Sequence, residues 1–114
     1  MTIIIVMIRR REPFKLIYAP LVKNHLRVIE SKCYSLIRKT IENQLRFEPD
    51  VETRNRKPLK RPIDFEAEWE IRFGPNNRLR VFYEVNRESH QVNILAIGEK
   101  KGSQLFIGGK EFEL

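Results

Sequence analysis

Two arginines, Arg72 and Arg80, flank a stretch reading Gly74-Pro75-Asn76-Asn77, and Lys100 and Lys101 follow a later apolar run that ends at Gly98. Guanidinium groups offer planar pairs of donors that match phosphate oxygens, and lysine adds a mobile point charge. Four such side chains brought together would make a site for one phosphate group. A second basic set lies upstream. Arg54, Arg56, Lys57, Lys60 and Arg61 all fall within residues 53–63, with no acidic residue among them. That composition suits contact with a polyanion such as nucleic acid, and it equally suits a solvated loop.

Other chemistry is poorly supplied. The chain has one cysteine and two histidines, Cys33, His25 and His90, well separated in sequence. They make no disulfide framework and no cysteine zinc shell, so neither a metal nor another cofactor is expected. Cys33 falls on an apolar helical stripe and reads as a buried structural thiol. The 114 residues, with 22 Lys and Arg against 15 Asp and Glu, carry a formal charge of +7. The excess is uneven. Residues 1–65 hold 15 basic and 7 acidic side chains, whereas residues 66–114 hold 7 and 8.

For Arg72 and Arg80 to meet, they must share one face of a sheet. From Glu66 the pattern alternates, with Ala67, Trp69, Ile71 and Phe73 apolar and Glu66, Glu68, Glu70 and Arg72 polar. That is a half-buried strand. Gly74–Asn77 is a turn signal, and Leu79, Val81, Tyr83 and Val85 form the apolar side of a second strand. Pairing Phe73 with Leu79 sets Ile71 on Val81, Trp69 on Tyr83 and Ala67 on Val85; a slip of one residue would set apolar side chains on charged ones. The same register puts Arg72 opposite Arg80 on the other face. Like charges so paired repel unless an anion lies between them. Glu70, in a ladder with Glu68 and Glu84, would serve, and so would a phosphate.

A third strand spans Val92–Ile97 and ends at Gly98. Strict alternation adds Phe82, Leu95 and Ile97 to the arginine face and lets Lys100 and Lys101 converge on Arg72 and Arg80. Residues 105–114 read as a small hairpin around Gly108-Gly109.

The first half must supply cover for the opposite face. Phe14–Tyr18 reads as a short strand, and Pro20 suits a first helical turn. Leu26, Ile29, Cys33, Ile37, Ile41 and Leu45 recur at spacings of three and four, which is one helical stripe. The pattern leaves open one helix or two with a break near Ser31, a residue able to cap the second. Glu48-Pro49 ends the helical region, and residues 48–65, with three prolines, read as an irregular loop. The opening run Ile3–Ile8 is too short to span a bilayer, and its arginines follow rather than precede it, unlike a secretory signal. A cytoplasmic protein without membrane partners is expected. Residues 1–13 are read as an extension of uncertain structure, with Met1 or Met7 as the start, and residues 14–114 as one domain.

Trp69-Glu70-Ile71-Arg72, Arg78-Leu79-Arg80-Val81-Phe82-Tyr83-Glu84-Val85, and Ile94-Leu95-Ala96-Ile97-Gly98 with Lys100-Lys101 together resemble the RelE/ParE superfamily. These are small toxins of type II toxin–antitoxin systems. The resemblance runs from about residue 14 to 107 and takes in Tyr18-Ala19-Pro20 and Pro58-Leu59. It implies an α+β fold with two N-terminal helices packed on a twisted, mainly antiparallel β-sheet, and a cognate antitoxin as partner. For RelE-like members it implies cleavage of mRNA on the ribosome by attack of a 2′-hydroxyl on the adjacent phosphate. On that reading Arg72, Arg80 and Lys100 are the catalytic cations, and Arg56, Lys57, Lys60, Arg61 and Lys101 contact RNA.

The sequence departs from that pattern where RelE proteins carry a tyrosine: Phe106 stands there and transfers no proton. Two alternatives therefore accompany the nuclease reading. One is a ParE-like toxin that inhibits DNA gyrase without cleaving RNA. The other is a degenerate member whose main role is to bind its antitoxin.

Overall fold

The computed structural model describes residues 12–60 and 66–113. Arg61, most of the expected N-terminal extension and the choice between Met1 and Met7 lie outside the described residues. In chain order the elements are β1 (Lys15–Tyr18), α1 (Val22–Arg27), a 3-10 turn (Ser31–Cys33), α2 (Tyr34–Leu45), β2 (Arg56–Pro58), β3 (Trp69–Phe73), β4 (Leu79–Asn86), β5 (Gln91–Lys101), β6 (Gln104–Ile107) and β7 (Lys110–Phe112).

The strands form one sheet in the order β2-β3-β4-β5-β6-β7. Every pairing along that path is antiparallel. β1 adds to β5 in parallel, with Lys15 opposite Gln91 and Tyr18 opposite Ile94. The class is α+β as expected, but the two helices are not N-terminal to the sheet. They sit between β1 and β2, because the chain lays its first strand against β5 before the helices begin.

The helical stripe resolves into two helices. α1 stops at Arg27, and Glu30 takes an extended ψ of 131° that breaks the run before α2. Ser31 is not a cap: it opens the 3-10 turn and makes no capping hydrogen bond. Val22, Ile29, Cys33, Ile37, Ile41 and Leu45 pack onto Ile71, Phe73, Leu79, Val81, Tyr83, Val92, Ile94 and Ile97, forming the main core on one face of the sheet. Cys33 is buried and makes no disulfide.

The opposite face carries a smaller cluster of Ala67, Phe82, Ala96, Leu105 and Ile107, edged by Leu59, Leu95 and Phe112. β6 and β7 turn through Gly108 and Gly109, at φ 63° and 80°, the left-handed pair that a two-residue hairpin requires.

The β3–β4 register is the one expected: Phe73 on Leu79, Arg72 on Arg80, Ile71 on Val81 and Trp69 on Tyr83. Ala67 is the exception. The ladder starts at Trp69, Glu66 turns at φ 60°, and Ala67 packs with Phe82 on the far face rather than opposite Val85.

β5 departs further from simple alternation. It runs through Gly98 to Lys101 instead of ending at Gly98. A bulge between Phe82 and Tyr83 sets Phe82 on Ala96 but Tyr83 on Ile94, so Leu95 has no partner. The extra residue reverses the parity of everything after it. Ile97 therefore lies in the helix-side core, not on the arginine face.

Residues 48–65 are also not wholly irregular. Arg56–Pro58 pairs with β3, placing Arg56 opposite Ile71 and Lys57 opposite Glu70. Among the described residues no helix is long and apolar enough to cross a membrane.

Candidate phosphate-binding site

Glu70 lies at the centre of the site. It sits on β3 between Lys57 of β2 and Phe82 of β4, on the face away from the helices. Its side chain is only 2% exposed, and each carboxylate oxygen has its own arginine. Arg72 Nε donates to Oε1 at 2.7 Å, and Arg80 Nη1 donates to Oε2 at 3.2 Å. The opposed arginines are thus bridged by the buried carboxylate. Glu68 and Glu84 take no part in that bridge; Glu84 accepts instead from Asn93 Nδ2 at 2.9 Å.

The two arginines differ sharply in access. The Arg80 side chain is 6% exposed and also donates from Nε to the Asn77 carbonyl at 3.0 Å. Arg72 is 46% exposed. It borders a cavity of about 570 Å³ lined by Glu52, Lys57, Pro58, Leu59, Lys60, Glu70 and Arg72. Lys57 Nζ meets Glu52 at 3.2 Å across this lining. The cavity therefore brings three cations, Lys57, Lys60 and Arg72, around two carboxylates. A phosphodiester could take charge-assisted hydrogen bonds from all three. Arg80 adds its charge from beneath, through Glu70.

Strand parity sorts the remaining candidates. Lys100 is two residues past Gly98, the partner of Arg80, so it shares that face at the turn end of the β3–β4 hairpin; its backbone N–H donates to the Arg78 carbonyl at 2.7 Å. It lies outside the cavity lining. Lys101 does not converge with the others. It shares the helix-side face with Phe106, its Nζ 5.6 Å from the ring centroid. Both line a separate cavity with His25, Val28, Ile29, Ile97, Glu99, Gly108 and Gly109. Phe106 thus faces away from Arg72 and Arg80.

Arg56 is a correction. It is buried, because its place opposite Ile71 turns it toward α2. Its guanidinium donates to the carbonyls of Glu48 at 2.6 Å, Val51 at 3.0 Å and Gln44 at 2.9 Å, and to Gln44 Oε1 at 3.0 Å. These are carbonyls at and beyond the end of α2, where a cation satisfies orphan acceptors. Arg56 is a structural clamp and offers no surface to RNA. Tyr83 adds a second anchor, its hydroxyl donating to the Pro49 carbonyl at 2.6 Å. Burial pushes this phenol well above its ordinary value, so it stays a donor. The two anchors fix the segment that carries Glu52 to the cavity.

Sequence reasoning named Glu70 as one anion able to bridge the arginines, and it missed Glu52. The signal for Glu70 was present in the Arg72–Arg80 register; the signal for Glu52 was not, because nothing in residues 48–55 predicts their path. Among the described residues no group of three or more His, Cys, Asp or Glu is placed to hold a metal ion.

No protein-family model matches the chain. No curated protein matches it in sequence. Its structure is similar to a chain in the crystal structure of the toxin–antitoxin complex RelBE2 from Mycobacterium tuberculosis, with a TM-score of 0.58 and 18% identity over 77% of this chain and 99% of that one. Over that span this chain shares the α+β fold of a chain of the RelBE2 complex, a RelE-like fold.

Proposed function

We propose that this chain is the toxin of a type II toxin–antitoxin pair, and that it inhibits translation by cleaving mRNA on the ribosome. The observation that carries the reading is the cavity of about 570 Å³ lined by Lys57, Lys60 and Arg72, roomy enough for a phosphodiester with part of its flanking nucleotides, with Arg80 fixed behind Glu70. The RelE-like fold and the toxin–antitoxin origin of the similar structure support it.

In the reaction the 2′-oxygen attacks phosphorus as its proton leaves. The bond to the 5′-oxygen then breaks and that oxygen takes up a proton, leaving a 2′,3′-cyclic phosphate and a 5′-hydroxyl. Negative charge accumulates on the non-bridging oxygens, and fixed cations lower that barrier most in a site partly shielded from water. Arg72, Lys57 and Lys60 supply these cations at the cavity, and Lys100 extends the positive face along the sheet. Of the two carboxylates in the lining, Glu70 is 2% exposed and held by two arginines, whereas Glu52 is 58% exposed and paired with Lys57. Glu52 is the one placed to accept a proton. The partner that restrains the toxin is an antitoxin with an acidic segment complementary to the basic face.

The test is to induce the protein alone, map mRNA 5′ ends and assay gyrase supercoiling in the same cells. New mRNA ends with normal supercoiling are expected, and Arg72→Ala should abolish them. Supercoiling loss without new ends would overturn the nuclease reading in favour of a ParE-like action, the alternative that a phenylalanine at position 106 keeps open. Unimpaired growth on induction would leave antitoxin binding as the main role.

A further inference from the structure

Glu70 has no counterpart among the groups that phosphate chemistry requires, yet it is the most deeply buried charge of the site. Phe82, its neighbour on β4, is fully buried, so one flank of the carboxylate is dry. Both oxygens are engaged, one by each arginine. The pair is unequal. Arg80 is enclosed and has the Asn77 carbonyl as a second anchor, whereas Arg72 is half exposed and points along the cavity wall.

We propose that Glu70 is a positioning residue that occupies, on Arg72, the place a phosphate takes. Phosphate binding is then an exchange of partners: Arg72 leaves Glu70 for the ligand while Arg80 remains on Glu70 as a fixed charge. The inference rests on the phosphate-binding reading above. It explains how two arginines can be held opposite one another before any RNA arrives. It also predicts that the carboxylate weakens anion binding while improving the placement of the cations that act on the bound phosphate.

That combination distinguishes it from a merely structural role. Glu70→Gln keeps the shape and an acceptor but removes one negative charge from beside the ligand. RNA binding should tighten by about fivefold, the scale of one unit charge about 4 Å away at a water-like dielectric, while cleavage slows. A residue needed only for folding would weaken both.

The experiment measures binding of a 5′-labelled eight-nucleotide RNA by fluorescence anisotropy at fixed salt, for the wild-type chain, Glu70→Gln and Arg72→Ala. In parallel, the arginine Nε–Hε resonances of the wild-type chain are followed by NMR as unlabelled RNA is added. Tighter binding by Glu70→Gln, with the Arg72 resonance moving and that of Arg80 still, is the expected result. Equal or weaker binding by a folded Glu70→Gln, or Arg80 moving together with Arg72, would overturn the inference. If Glu70→Gln does not fold, the wild-type resonances decide alone. Failure of the underlying reading shows separately, as Arg72→Ala binding the RNA as tightly as wild type.

Discussion

Arg80 and Glu70 form an enclosed ion pair, Nη1 to Oε2 at 3.2 Å, with side chains 6% and 2% exposed. An arginine that resembles a catalytic residue is thus also a structural one. Removing one member of such a pair leaves a buried charge without compensation.

Arg80→Ala should therefore destabilise the fold by about 3–5 kcal/mol, whereas Arg72→Ala, which removes a half-exposed side chain and leaves Glu70 its Arg80 partner, should cost about 1 kcal/mol. Urea unfolding of the two purified variants checks this. Equal stability of the two would show that Arg80 is not held as described. Toxicity lost in Arg80→Ala carries functional meaning only when soluble protein is shown to be unchanged, and Arg72→Ala is the cleaner probe of chemistry.

Arg56→Ala should cost about 3 kcal/mol, since it removes a cation that donates to three carbonyls, of which, among the described residues, Glu48 alone keeps a second donor in the Val51 N–H. The loss should appear in the urea midpoint. RNA affinity of the folded fraction should stay within twofold of wild type; a large drop in affinity at native stability would restore Arg56 to the RNA surface.

Gly98 pairs with Arg80 where β6 approaches closely. A methyl group there would lie 2.8 Å from the Phe106 carbonyl oxygen and 2.9 Å from Ile107 Cγ1. Because backbone is in the way, Gly98→Ala should push β6 outward and cost about 1–3 kcal/mol. Hydrogen exchange should show lost protection across Leu105–Ile107. Unchanged protection there would argue against this close contact.

His25 makes stability depend on pH. Its Nδ1 accepts the Ile97 N–H at 3.2 Å, and burial lowers its pKa from the ordinary value of 6.5. The unfolded chain then binds the proton more readily than the folded one. The contribution is fully present above pH 6.5 and is lost as pH falls through the lower folded value. Glu99 and Lys101 are the charged residues that line the same cavity as His25. Thermal unfolding followed between pH 5 and 8 should show a decline on the acid side that His25→Gln reduces. An identical decline in that variant would assign the effect elsewhere.

Much of this molecule was legible in one dimension because local pattern and long-range pairing agreed. The alternation of Trp69–Phe73 and Leu79–Val85 about a Gly-Pro-Asn-Asn turn allowed one register, since any slip would bury charge against apolar side chains. That register placed Arg72 opposite Arg80 and required an anion between them. The stripe from Leu26 to Leu45 likewise specified a helical cover, and the glycine pair at 108–109 a hairpin. What the sequence by itself determined was which residue types share a face wherever alternation is unbroken. Only the tertiary structure decided the rest. One bulged residue at Leu95 reversed the parity of all that followed, sending Ile97, Lys101 and Phe106 to the helix side and keeping Lys100 with Arg80. A three-residue strand at Arg56–Pro58, too short to signal itself, turned Arg56 inward and Lys57 outward within one basic run. Both outcomes depend on which backbone groups find hydrogen-bond partners across the sheet, and a side chain's position in sequence carries no record of that.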